Sequence, residues 1–300
     1  QKEFMLIKKY TLISLIALVA LGYGCEQSAP TNLYEEKGDL YFSGYYFNYK
    51  NRLAPVGPGP NRFLGDSTAA WVDNEQKLHL KIQQKNGFWQ CSEIISTKRF
   101  GYGTYQMTCE TDIRNFDPMT VFGFFTWDDY SFQKAGNSEV DIEFAKWGDA
   151  NDTLPVTYSV QPVIFSNPAP YAERTHKPFI PTKYNASACT YTMQWTPDSI
   201  VWKSYLGENI FSGQQLSHHV FTKNNISRKK IEGSRISDPM VIPTPGDSTN
   251  VRFNFWLLNG AAPKNGLHSN WHARKRTQTR TANSSHNADG DGRREPALPR

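Results

Sequence analysis

From about residue 78 the chain is written in short runs whose apolar residues alternate with polar ones. Leu78 to Ile82 alternates strictly, and Val156 to Val163 alternates Val and Tyr with polar residues. Further runs follow the same pattern at Ser92 to Lys98, Thr104 to Glu110, Val121 to Trp127, Glu139 to Phe144, Cys189 to Trp195, Ile200 to Leu206 and Val251 to Leu257. A period of two with side chains on opposite faces is the signature of a β-strand. Gly, Pro, Asn and Asp break the runs, as at Gly101-Tyr102-Gly103 and Pro197-Asp198. The first of these turns predicts a hairpin joining Ser92–Lys98 to Thr104–Glu110. No 15-residue amphipathic helix pattern competes. Many short strands in one domain predict an all-β fold of two packed antiparallel sheets.

One run differs from the others. Glu139-Val140-Asp141-Ile142-Glu143-Phe144 places three carboxylates on one face of a strand and three apolar side chains on the other. The apolar face reads as core. Three like charges on one face cost energy unless something uses them, and paired carboxylates flanking a bond are how glycosidic linkages are cleaved. The aromatic content of 14% exceeds what a core needs, so some rings are expected to line a sugar-binding cleft, where C–H faces of sugars pack on aromatic planes. Trp127, Trp147, Trp195 and Trp256 are the candidates. Gln161, on the neighbouring predicted strand, is a candidate to hydrogen-bond substrate, and Glu93 a weaker one at the cleft floor.

Charge and ends refine this picture. The formal charge of +5 is concentrated at the termini: residues 1–24 hold Lys2, Lys8 and Lys9 against Glu3, and residues 271–300 hold seven Arg or Lys against three acids. The remaining body carries −1. That near-neutral body argues against a nucleic-acid partner, which needs a basic footprint, and fits an uncharged polysaccharide. Met5 reads as the start. Lys8 and Lys9, then the apolar Thr11 to Leu21, read as a signal peptide over 1–24, too short to span a bilayer. The following Gly24-Cys25 resembles a bacterial lipoprotein signal, which implies lipidation of Cys25, a membrane anchor, and an exported lipoprotein at the outer membrane, cell surface or periplasm, with plain secretion as the alternative. Residues 25–38 form a polar tether, 39–266 the domain, and 267–300 an atypical tail without period two, expected to be disordered. Cys91 and Cys109 flank the predicted hairpin and are candidates for a disulfide; their spacing suggests no metal site.

The acidic run, in its uninterrupted form, resembles the signature of glycoside hydrolase family 16, the laminarinase and lichenase group. The same resemblance extends to Ser92-Glu93-Ile94-Ile95-Ser96-Thr97, Phe100-Gly101-Tyr102-Gly103-Thr104-Tyr105, Phe122-Gly123-Phe124-Phe125-Thr126-Trp127, Trp195-Thr196-Pro197-Asp198-Ser199-Ile200-Val201-Trp202 and Phe255-Trp256-Leu257-Leu258-Asn259-Gly260. It covers roughly Asp39 to Gly266. It implies a concanavalin A-like jelly roll and a retaining endo-β-glycan hydrolase, with Glu139 as nucleophile, Glu143 as general acid/base and Asp141 sharing protons with them and orienting them. Substrates so implied are β-1,3- or β-1,3/1,4-glucans. The alternatives are a galactan hydrolase, which would put Lys146, Arg174 or Lys177 in the cleft, and a non-catalytic lectin-like domain. Interception of the covalent intermediate by sugar would make a transglycosylase. Hydrolysis itself needs no cofactor, relatives carry a structural calcium, and a monomer is expected. The departure lies at the C-terminus, where members end with a last alternating strand and this chain runs into Trp271-His272-Ala273-Arg274-Lys275-Arg276.

Overall fold

The computed structural model describes residues 37–131, 136–161, 174–184, 187–222, 242–264 and 269–274. Residues 1–36, with the expected signal peptide and Cys25, and residues 275–300 lie outside them. In chain order the described strands are β1 (Leu40–Phe42), β2 (Tyr45–Tyr49), β3 (Arg52–Val56), β4 (Asn61–Phe63), β5 (Ala70–Val72), β6 (Leu78–Lys85), β7 (Phe88–Gln90), β8 (Ser92–Ser96) and β9 (Gly103–Cys109). They continue with β10 (Thr120–Trp127), β11 (Val140–Ala145), β12 (Val156–Val160), β13 (Thr175–His176), β14 (Cys189–Trp195), β15 (Ser199–Leu206), β16 (Gln215–Thr222), β17 (Asn250–Leu257) and β18 (Ser269–Arg274). The class is all-β, as expected.

Two sheets result. The front sheet runs β1-β2-β8-β17-β10-β11-β12-β13 and the back sheet β16-β15-β14-β9-β18-β6-β5, with β7 pairing β6 and a separate β3–β4 hairpin. Alternation decides which side chains meet between them. Phe122 and Phe124 of β10, Val140, Ile142 and Phe144 of β11, and Phe253 and Phe255 of β17 point inward and are buried. They meet Tyr105, Met107, Tyr191, Met193, Trp195, Ile200 and Trp202 of the back sheet in one core. Phe144 stacks on Phe122 at 5.5 Å and meets Tyr191 edge-on at 4.9 Å. The Trp202 indole N–H donates to the Asp141 carbonyl at 3.1 Å, so the back sheet braces the acidic strand directly.

Three expectations are corrected here. Ser92–Lys98 and Thr104–Glu110 do not form a hairpin: β8 pairs β2 and β17 in the front sheet, while β9 pairs β14 and β18 in the back sheet. The connection through Gly101-Tyr102-Gly103 crosses from one sheet to the other. For the same reason Cys91 and Cys109 are not in a disulfide; both are thiols. Cys91 accompanies Phe63 and Asn61 at the entry to β8, while Cys109 stands opposite Cys189 in the back sheet. Burial pushes the Cys91 thiol up to about 12. Finally, the tail expected to begin at 267 contributes β18, which lies between β9 and β6. Its polar sequence carries no amphipathic signal, but the slot between two strands is filled by backbone hydrogen bonds, which any sequence supplies.

The packing behind the acidic strand makes a stability prediction. Phe144 is fully buried and contacts both sheets, so Phe144→Ala should cost about 3–5 kcal/mol. Urea unfolding would read this as a fall in midpoint.

Candidate active site

β11 lies between β10 and β12, so its outward face opens onto neighbours fixed by register. Opposite Glu143 stand Gly123 on one side and Thr157 on the other; opposite Asp141 stand Phe125 and Ser159. Glu139 immediately precedes β11, and its carbonyl accepts from the Gln161 N–H at 3.1 Å. The two residues before it adopt left-handed backbone, Asn137 at φ 61° and Ser138 at φ 52°. They are held there by side chains. Asn137 donates to the Asp128 carbonyl at 2.8 Å, Ser138 Oγ to the Thr244 carbonyl at 2.6 Å, and Thr126 Oγ1 to the Ser138 carbonyl at 2.7 Å. Thr126 Oγ1 also accepts from the Val140 N–H at 3.2 Å.

The outward face of the front sheet carries a groove in two parts. One cavity of about 570 Å³ is lined by the three acids with Lys50, Glu93, Trp127, Arg252 and Asn254 among others. A second, of about 430 Å³, is lined by Glu139, Glu143, Trp147, Gln161 and Lys177 among others. Both include Trp256, Glu139 and Glu143. Gly123 keeps the floor open: a Cβ there would stand 2.5 Å from Asn254 Oδ1.

The acids are electrostatically unequal. Burial raises all three carboxyls above their ordinary range. Asp141, only 3% exposed, is pushed up to about 7 by burial, against hydrogen bonds from Gln161 and Glu139 that pull it down. Gln161 Nε2 donates to Asp141 Oδ2 at 3.2 Å. Glu139 is raised well above the usual range by burial, then by the charges of Asp141 and Glu143, while the Arg252 guanidinium pulls it back toward ionisation. Glu143 is raised by burial and by Asp141. The trio therefore retains protons at a pH where isolated carboxyls would have lost them, and it titrates as one coupled system.

Sequence reasoning placed several other residues, and the structure sorts them. Trp127 lines the first cavity, with its N–H on Asp129 Oδ1 at 2.7 Å and the Arg252 guanidinium 5.3 Å from its ring. Trp147 and Trp256 meet edge-on at 6.3 Å beside the second cavity. Trp195 is a correction. It belongs to the inward row Cys189, Tyr191, Met193, Trp195 of β14, is fully buried, and donates its N–H to the Pro243 carbonyl at 2.9 Å. Of the basic residues considered for the cleft, Arg174 is 1% exposed and donates to the Val160 and Gln161 carbonyls. Lys146 donates to the Arg114 carbonyl beside a separate cavity, while Lys177 lines the groove and is ion-paired with Asp152.

Among the groove residues that escaped sequence reasoning are Lys50, Arg52, Arg252, Asn254 and Pro58. For Arg252 and Asn254 a signal existed, because β17 alternates and both share the face of Trp256. Nothing local marks Lys50 or Pro58. Lys50 and Arg252 both pair with buried Glu93, at 2.7 and 3.2 Å, and Arg252 also reaches Asp129 at 3.4 Å. Lys50 and Arg252 thus carry anionic partners, while Arg52, which also lines the first cavity, donates to the Asn51 carbonyl.

A two-sheet sandwich with a groove across one sheet and a carboxylate trio on its floor defines a jelly roll. Residues 62–204, from β4 into β15, match the family model for glycosyl hydrolases family 16. Among solved structures, the laminarinase from Flavobacterium sp. UMI-01 is 13% identical over 75% of this chain and 90% of its own, with a TM-score of 0.50. An immunostimulatory antigen and pseudo β-1,3-glucanase of Mycobacterium tuberculosis is 13% identical over 76% and 87%, also with a TM-score of 0.50. The β-glucanase of Bacillus licheniformis is 19% identical over 79% and 94%, with a TM-score of 0.48. At these identities the first two likenesses are likenesses of fold. No curated protein matches the chain.

The raised Asp141 has a consequence for stability. A carboxyl whose folded value lies above its unfolded one stabilises the fold below the unfolded value and loses that contribution as pH rises through the folded one. At pH 8 Asp141 is thus a liability that a neutral isostere removes. Asp141→Asn should unfold at a higher temperature than wild type at pH 8, by on the order of 1 kcal/mol or more, and the advantage should vanish near pH 4. Thermal melts across that range check both the sign and the window.

Proposed function

We propose that the chain is a retaining, endo-acting β-glycan hydrolase whose substrate is a neutral β-1,3- or β-1,3/1,4-glucan. The observation that carries this reading is the meeting of two cavities at Glu139 and Glu143, which leaves room for a polysaccharide on both sides of the bond to be cut. Glu139 suits the nucleophile because Arg252 favours its ionised form. Glu143, whose main influences both hold its proton, suits the acid. In the first step Glu143 protonates the glycosidic oxygen as Glu139 attacks the anomeric carbon. In the second, Glu143 takes a proton from water, which releases the sugar from Glu139 with net retention. Asp141, between them and held by Gln161, shares a proton with Glu139 and keeps that proton as Glu139 attacks, so that the nucleophile is both oriented and ionised. Rise along an extended chain separates the 139 and 143 Cα atoms by about 13 Å, so the two side chains must converge over Asp141 to reach the retaining distance of about 5–5.5 Å.

A neutral substrate is favoured over a sulfated galactan by charge. Of the groove cations, Lys50, Arg252 and Lys177 are paired with Glu93, Asp129 and Asp152, Arg52 donates to the Asn51 carbonyl, and Arg174 and Lys146 lie elsewhere. Lys8-Lys9, the apolar run to Leu21 and Cys25 support export as a lipid-anchored protein.

The reading is tested with a panel of laminarin, lichenan, agarose, carrageenan and porphyran, scored for new reducing ends and for product anomer by NMR. A β-glucan should be cut internally with the β-anomer formed first. Glu143→Gln should lower kcat by about 10²–10⁴-fold on an unactivated substrate, and Glu139→Gln should bind glucan without cleaving it. Activity should decline on the alkaline side, at a pH above the ordinary carboxyl range, where the trio sheds the proton that Glu143 must donate. Binding to glucan with no cleavage of any panel member by wild type would leave the lectin-like alternative.

A further inference from the structure

The β3–β4 hairpin belongs to neither sheet, yet its tip is tied firmly to the groove. Its turn, Gly57-Pro58-Gly59-Pro60, has no polar side chain. Three hydrogen bonds of 2.8 Å hold it instead: Lys50 Nζ to the Gly57 carbonyl, and Asn61 Nδ2 to the carbonyls of Pro58 and Leu257. The Leu257 bond fastens the tip to the end of β17, next to Trp256. Packing there is close, since a Cβ on Gly260, itself at φ +65°, would lie 2.8 Å from the Pro60 carbonyl oxygen.

Pro58 lines both cavities, as do Glu139, Glu143 and Trp256. Where the groove halves meet, the wall is therefore made of two acids and two apolar rings. Trp256 is braced by Trp147 and Pro58 by the tethered turn. Apolar ring surfaces accept the C–H face of a sugar but give no partner to a hydroxymethyl-linked branch or a sulfate, which would be desolvated without compensation. Resting on the hydrolase reading above, we propose that Pro58 is a specificity-determining residue, forming with Trp256 an apolar pinch at the cleavage point that admits an unsubstituted β-glucan unit and rejects a branched or sulfated one.

The test compares kcat/KM on linear β-1,3-glucan with that on the same backbone carrying single β-1,6-glucosyl branches, and on a sulfated preparation. Wild type should favour the linear chain. Pro58→Gly, which removes the ring, should reduce the linear-to-branched ratio by about 10-fold. Asn61→Ala, which releases the tip from Leu257 while keeping the proline, should move the ratio in the same direction. Thermal melts identify any variant that fails to fold, and Pro58→Ala then replaces Pro58→Gly. A ratio unchanged in folded Pro58 variants overturns the inference while leaving the hydrolase reading intact. A wild type that cuts no β-glycan removes the hydrolase reading itself, and the inference with it.

Discussion

Everything in this protein turns on a strand that packs one face into the core and turns the other toward the groove. β11 is held in register between β10 and β12, its apolar row Val140, Ile142 and Phe144 sunk in the core. Sliding it by one residue would bury three carboxyls and expose three apolar side chains. The hydrophobic effect thus fixes, through the back of the strand, the placement of the chemistry on its front. The Trp202 hydrogen bond to the Asp141 carbonyl and the clamp on Asn137 and Ser138 secure the strand and its approach.

The front face then sets the electrostatics. Crowding three carboxyls where water is scarce raises their proton affinities together, and the surroundings divide the labour. Arg252 acts on Glu139, Gln161 on Asp141, while the main influences on Glu143 keep its proton in place. Arg252 is itself held by Glu93, which also holds Lys50, and Lys50 in turn reaches the Gly57 carbonyl. One buried carboxylate thereby links the cation that acts on Glu139 to the cation that anchors the hairpin beside the groove. Tuning and shape share a support, so disturbing Glu93 would affect both.

Fold likeness alone does not settle activity, since one structure of the same fold is described as a pseudo β-1,3-glucanase. Function lives in the site rather than the fold, and here three acids, their proton-holding surroundings and two cavities that share Glu139 and Glu143 meet in one place.

By itself the sequence determined nine of the strands, β6, β8 to β12, β14, β15 and β17, and which side chains share a face within each, because strand alternation is local. That made the all-β class, the acidic trio, and the outward Trp127 and Trp256 legible before any coordinates. Pairing is not local, and there the reading failed. Whether β9 returns along β8 or crosses to the other sheet, and so where Cys91 and Cys109 lie, depends on which neighbours complete each sheet. Whether a strand's buried face looks onto the groove-bearing sheet or away from it decided Trp195. β18 was invisible because backbone hydrogen bonding to two waiting neighbours requires no apolar pattern. Lys50 and Pro58 entered the site only through contacts spanning up to about two hundred residues of chain, which the tertiary structure alone could decide.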